Sequence, residues 1–242
     1  GIGFFCMMTV LLKLEVRQDN HVNDDPWHEF KEGVKYVLQH RLFLTLILLS
    51  WISMFFGTSY VQIMPLFAEM LQSGERGFGL LISATGVGSI IGNLFISHYQ
   101  QSRKLGIMML SSAAMAPCSL IGFSLVSWIL AGTAGAFWMA CCFAILTSAL
   151  SSVFLVSSMT VLQIKVPDAF RGRVMGIHSI TFSMISLGGL AAGALAAQFS
   201  APVAVVIGAF VVLSSVTWVV FKVSEIAKLD LNLQSKQTES FQ

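Results

Sequence analysis

The chain has 242 residues, 55% of them hydrophobic and only 11% charged, with a formal net charge of +2 and a mean hydropathy of +0.78. Soluble domains carry about a quarter charged residues, so a water-soluble globular fold is excluded, and the near-neutral charge balance offers nothing to a nucleic-acid partner. Charge is also unevenly placed: residues 42–68, 77–102, 105–164 and 174–221 hold no Asp, Glu, Lys or Arg, in runs of 27, 26, 60 and 48 residues.

In chain order, the opening stretch "GIGFFCMMTVLL" (1–12) is apolar until Lys13. As a helix it would reach about 18 Å, short of a hydrocarbon core of about 30 Å. No basic region precedes it, so it does not read as a signal peptide. The expectation is the end of a truncated transmembrane helix, and a re-entrant half-span is the competing reading. Residues 13–41 read as a cytoplasmic linker. Polar "QDNHVNDDP" leads into Trp27–Arg41, where Trp27, Phe30, Val34, Val37 and Leu38 recur at three- and four-residue steps. Asp25 and Pro26 suit a helix start, which predicts an amphipathic helix along the membrane face. A solvated linker helix competes with it.

A membrane-spanning helix needs about 20 apolar residues, so the four runs supply one, one, two and two spans. The fold class is therefore an all-α membrane protein, a six-transmembrane-helix bundle with spans near 42–68, 77–99, 105–126, 128–164, 170–197 and 201–222, followed by a cytoplasmic tail at 223–242. The bases support this count. Lys and Arg near span ends mark the cytoplasmic side, and this alternation puts 13 of the 14 bases on one side, with Arg76 alone on the other. A third span within 105–164 would carry the cluster Lys165, Arg171 and Arg173 across the membrane. The turn inside that run is expected near "SLVSWIL", with Trp128 at the interface. The fourth helix is then longer than the bilayer and should tilt or project.

Ionisable groups at membrane depth mark proton and ion pathways. The spans hold none of the strong ones, and His98 and His178, close to basic clusters, read as interfacial. Uncharged polar residues do align: Ser50, Ser53, Gly57 and Tyr60 on one face of the first span, Thr85, Ser89 and Asn93 on the second, and Ser148, Ser151 and Ser152 on the fourth. Plain helix packing is the competing role for such small residues. The candidate substrate pathway is Trp51, Tyr60, Gln62, Asn93, Trp138, Ser148 and Ser152. Two small-xxx-small pairs, Gly88 with Gly92 and Gly189 with Gly193, predict close helix packing. The run "GVGSIIG" around the first pair lacks a preceding strand and is not a dinucleotide loop.

Neither a cofactor nor a metal site is expected. Cys6, Cys118, Cys141 and Cys142 all lie in apolar segments and read as core packing residues. No residue is assigned as catalytic: the one acid–base pair, Asp168 and His178, would sit about 15 Å apart along a helix. That weighs against an integral-membrane transferase. The loop "VPDAFRGRVMG" (166–176) concentrates three charges. In it, Pro167 ends the preceding helix, Asp168 suits the cap of the next, and Arg171 and Arg173 fix topology or pair with acids or lipid phosphates. Together with Arg103 and Lys104, these residues form the expected cytoplasmic gate and topology set.

The layout, with "EFKEGVKYVLQHR" (29–41) ahead of the first span and "VPDAFRGRVMGI" (166–177) between the fourth and fifth, resembles the C-terminal half of a major facilitator superfamily transporter, in its siderophore- and macrolide-exporter branch. The loop "SHYQQSRKLG" (97–106) departs from that family's pattern, keeping Arg103, Lys104 and Gly106 but no acid. The resemblance implies half of a 12-helix fold in the bacterial inner membrane, whose partners are the lipid bilayer, a missing N-terminal six-helix half, a small-molecule substrate and protons. It implies export of small amphiphiles by alternating access in exchange for protons. A non-transporting assembly or sensor protein on the same fold is the alternative.

Overall fold

In the computed structural model, residues 26–99, 105–133 and 135–222 are described. The segments 1–12 and 223–242, and the bases Arg103 and Lys104, lie outside them. Among the described residues all regular structure is helical. Helix α1 (Pro26–Gln39) precedes six helices long and apolar enough to cross a membrane. The first span, Arg41–Met70, is built from α2 (Arg41–Ile52), a π-helical turn (Ser53–Thr58), a 3-10 turn (Ser59–Ile63) and α3 (Met64–Met70). The second is α4 (Gly74–Tyr99), the third α5 (Leu105–Ile129) and the fourth α6 (Ala136–Lys165). The fifth joins α7 (Asp168–Ser179), a 3-10 turn (Ile180–Phe182) and α8 (Ser183–Gln198), and the sixth is α9 (Ala201–Lys222). The protein is an integral, multi-pass, all-α membrane protein.

Two apolar clusters fill the bundle, one toward each end. Leu46, Met109, Phe154, Leu162 and Val216 belong to the cluster nearer Arg41 and Lys165. Met64, Phe67, Leu81, Phe123 and Ala144 belong to the other. With lipid on the outside, apolar burial alone gives helices little reason to associate, so close backbone approach and hydrogen bonds fix the pairing. A Cβ on Gly88 would run into the main chain of Ile145, and one on Gly92 into that of Ala149, which brings α4 directly against α6. The Ser148 hydroxyl donates to the Thr85 carbonyl at 2.7 Å between these same helices. Span three is tied to span six where Ser124 donates to the Pro202 carbonyl at 2.9 Å.

Several expectations are corrected here. The third helix continues to Ile129, with Trp128 more than half exposed near its end, and the turn falls later, around Gly132 at φ +86°. Span four therefore starts at Ala136, not at 128. It keeps 30 residues, about 45 Å of helix against a core of about 30 Å. The second glycine pair does not act as a pair. Gly193 faces open space and Gly189 meets the Gln62 side chain, while it is Gly188 that abuts the main chain of Phe55. Cys141 is buried, but Cys118 and Cys142 are exposed, so two of the cysteines do not pack the core. His178 is not interfacial: it is 2% exposed, inside the bundle.

The single polar face expected along the first span does not exist either. Ser50 turns to Ser158 of span four, a Cβ on Gly57 would lie 3.6 Å from Val212 of span six, and Tyr60 packs its ring 5.7 Å from Phe123 of span three. A π turn carries more residues per turn than an α-helix, so the register of α2 is lost beyond Ile52.

Candidate functional site

A cavity of about 280 Å³ opens between spans one, two, four and five, lined on its polar side by Thr58, Tyr60, Thr85, Ser89, Ser148, Ser151 and Ser152. Met54, Val61, Leu155, Phe182 and Ile185 supply its apolar walls. Each polar residue arrives for a local reason. Thr85 and Ser89 sit one turn apart on α4, and their hydroxyls donate back to the carbonyls of Ile82 (2.7 Å) and Gly86 (2.8 Å). Ser148, Ser151 and Ser152 lie one turn apart on α6 and are half-buried. Thr58 enters because the π turn rotates it away from the core. The hydroxyl protons of Thr85, Ser89 and Ser148 go to backbone carbonyls, so these oxygens present lone pairs to the cavity. A hydroxyl-lined hollow between apolar helices is suited to an amphiphile that is held by a few polar contacts and otherwise by packing.

Of the residues expected on a pathway, Tyr60, Ser148 and Ser152 line this cavity. The other four do not. Trp51 packs against the apolar cluster nearer Arg41, Gln62 lies exposed over Gly189, and Asn93 is exposed beyond Ser89 on α4. Trp138 is 65% exposed and touches Phe137 edge-on at 5.5 Å between ring centroids. Size and amphipathic character single out all four, but neither says which way a side chain points on a helix that is apolar all round. Thr58 and the fifth-span wall at Phe182 and Ile185 had no signal in the sequence, because both depend on turns that break the α period.

At the basic end, α6 stops at Lys165, and Val166 is extended at φ −80°, ψ 127°, as a residue before proline prefers. Helix α7 starts directly after Pro167, which holds the cap position with no side-chain cap bond. Asp168 is thus the first helical residue and not the cap. Its carboxylate instead pairs with Arg171 at 2.6 Å, three residues on, and still lies where the helix dipole favours an anion. Arg171 also donates from Nε to the Gln163 carbonyl at 3.1 Å, which ties the start of α7 to the end of α6.

Arg173 reaches a different element. Its Nη1 donates to Glu32 Oε2 at 2.6 Å and its Nη2 to Glu29 Oε1 at 3.2 Å, both on α1. Around this fork, Tyr36 stacks on Phe170 with 4.4 Å between centroids and 7° between planes. The Arg173 guanidinium lies 5.7 Å from the Phe170 ring centre. A Cβ on Gly33 would lie 2.9 Å from Arg173 Cβ, so the two helices touch closely here. Helix α1 is therefore clamped to α7. Val37 is buried against the bundle, while Trp27, Phe30 and Leu38 stay exposed on the helix surface. The acidic residues that hold Arg173 went unassigned in the sequence, though Glu29 and Glu32 three residues apart on the polar side of α1 were visible.

Among the described residues no three His, Cys, Asp or Glu side chains gather as a metal site requires. The profile of the family MFS_3, described as transmembrane secretion effector, matches residues 1–241. No curated protein matches, and no solved structure does.

Proposed function

Because the chain belongs to the transmembrane secretion effector family, a family of transporter-like membrane proteins of the major facilitator type, we propose that it works in secondary active export of small amphiphilic molecules, driven by proton exchange. The carrying observation is the hydroxyl-lined cavity between spans one, two, four and five. Hydroxyls on an exposed concave face gain nothing from lipid tails. Such a face fits a cleft closed from the other side by a second six-helix bundle, with substrate between the two near the midplane. The fifth span supports this pairing: of its most apolar window only 11% is buried, against 39% in the first. In this reading the basic end, with Lys165, Arg171 and Arg173, faces the cytoplasm of a bacterial inner membrane. Helix α1 lies at that face with Trp27 and Phe30 toward the lipid headgroups. The α1–α7 clamp through Arg173 is the gate that holds this end shut.

Efflux of a panel of fluorescent amphiphiles from loaded cells expressing the full-length gene tests the reading. The expected result is accelerated efflux that a protonophore abolishes and that Ser148→Ala with Ser152→Ala slows. Efflux equal to that of empty-vector cells across cationic, neutral and anionic members would overturn it.

A further inference from the structure

His178 lies in a buried polar layer that no part of the substrate cavity uses. Both ring nitrogens are buried without a hydrogen-bond partner among the described residues. The same is true of Trp51 Nε1, Ser53 Oγ, Ser157 Oγ and Thr181 Oγ1. Beside them the Ser158 and Ser50 hydroxyls meet at 3.2 Å, and since Ser50 gives its proton to the Leu46 carbonyl, Ser158 is the donor. These residues belong to spans one, four and five, each of which contacts the other two. Counted from the helix ends at Arg41, Lys165 and Asp168, Trp51, Ser157 and His178 lie at depths of about 15, 12 and 15 Å. They form one tier across three helices.

Two more features coincide with that tier. The π turn of span one begins at Ser53, two residues after Trp51. The 3-10 turn of span five begins at Ile180, two residues after His178. Breaks of this kind recur at functional sites and at hinges. The tier also adjoins the cavity, since Met54 and Phe182 line it and neighbour Ser53 and Thr181 in the chain. Buried polar groups are nearly always paired, so six unpaired atoms in one tier beside two helix breaks mark a place whose hydrogen bonds are completed in another state.

We propose that His178 is the proton-binding site of this half of the transporter: an imidazole nitrogen takes one proton from water as spans one and five move at their breaks, and returns it when they move back. The step forms one N–H bond, leaves the ring with a single positive charge and involves no oxidant or reductant. Protonation turns both ring nitrogens into donors, and the unpartnered hydroxyl oxygens of Ser53, Ser157 and Thr181 are the acceptors that the other state would bring to them. The charged groups on the neighbouring elements sit at the helix ends. On α7 these are Asp168, Arg171 and Arg173, the last held by Glu29 and Glu32. Lys165 ends α6 and Arg41 begins α2, while α1 adds His28, Lys31, Lys35 and Tyr36. Neither α2 nor α6 carries an acid or base at the depth of the tier.

The inference rests on proton-coupled export as proposed above, and its test reads the ring itself. Nitrogen-15 histidine spectra of the full chain in lipid nanodiscs, compared between wild type and His178→Gln, isolate the His178 signal. The expected result is a titration between about pH 5 and 8, together with loss of the pH dependence of efflux in His178→Gln. If that variant fails to insert, His178→Asn provides the difference spectrum. A His178 signal that keeps one protonation state across this range overturns the assignment. So does wild-type efflux whose pH profile is unaltered in His178→Gln. Should the ring titrate while no panel molecule is exported, the proton site stands and the export reading falls.

Discussion

Gly88 and Gly92 sit where helix α4 meets main chain of α6 and not side chain, so nothing flexible can make room for a larger residue. Gly88→Ala should therefore force the two helices apart and cost about 1–3 kcal/mol, the range for overpacking a close interface. Thermal unfolding in detergent would show this as a lowered midpoint. Gly79→Ala on the same helix is the control: open space surrounds that position, and the change should stay within about 0.5 kcal/mol. Equal midpoints for the two variants would mean that α4 and α6 do not touch as described. At the same scale, the two loop arginines divide their tasks. Arg171 braces the loop through Asp168 and the Gln163 carbonyl, and Arg173 reaches across to α1.

Among the elements, α1 and α7 form the contact on which gating would depend. A double-mutant cycle of Arg173→Ala with Glu32→Ala should give a coupling of about 1 kcal/mol, because the pair is bonded yet partly open to water. The coupling should shrink as salt is raised, and additive effects in the cycle would remove the clamp from the mechanism. Helix α1 was legible from the sequence because Trp27, Val34 and Val37 keep a helical period against a charged background. The number of spans was legible for a related reason, since each boundary is written in charges. Inside the runs that signal vanishes: the π turn "SMFFGT" (53–58) contains no proline and no repeat to betray it. It is bound up with how Phe55 and Phe56 meet Gly188 and Gly208 on neighbouring spans. Hence the unbroken α6 keeps Ser148 and Ser152 on one face as its period implies, whereas Ser50, Gly57 and Tyr60, expected on one face, meet three different spans.

On the scale of the whole molecule, the described charges gather at two ends. Arg41, Lys165, Arg171 and Arg173 lie at one, and Glu69, Glu75 and Arg76 at the other. Glu75→Cys and Ala169→Cys, each placed in a cysteine-free background, should react with a membrane-impermeant maleimide from opposite faces of the membrane. In intact cells the first should label and the second only after permeabilisation. Labelling of both from one face would break the six-span alternation. The bundle also divides its interior between two apolar clusters, with a polar tier and a hydroxyl-lined cavity at mid-depth. That division leaves each end well packed and places the helix breaks of spans one and five in the middle, where the proposed movement of this bundle would bend them.

The glycine contact between α4 and α6 has a consequence for how this chain can vary over evolutionary time. Where a side chain faces a side chain, drift at one position can be answered by drift at the other. Gly88 and Gly92 face the carbonyls of Ile145 and Ala149, which no substitution on α6 can shrink. Lineages descended from this sequence are expected to hold both glycines fixed while residues 145 and 149 change freely, so the rigid seam of the protein would be recorded as constancy on one helix without matching constancy on the other.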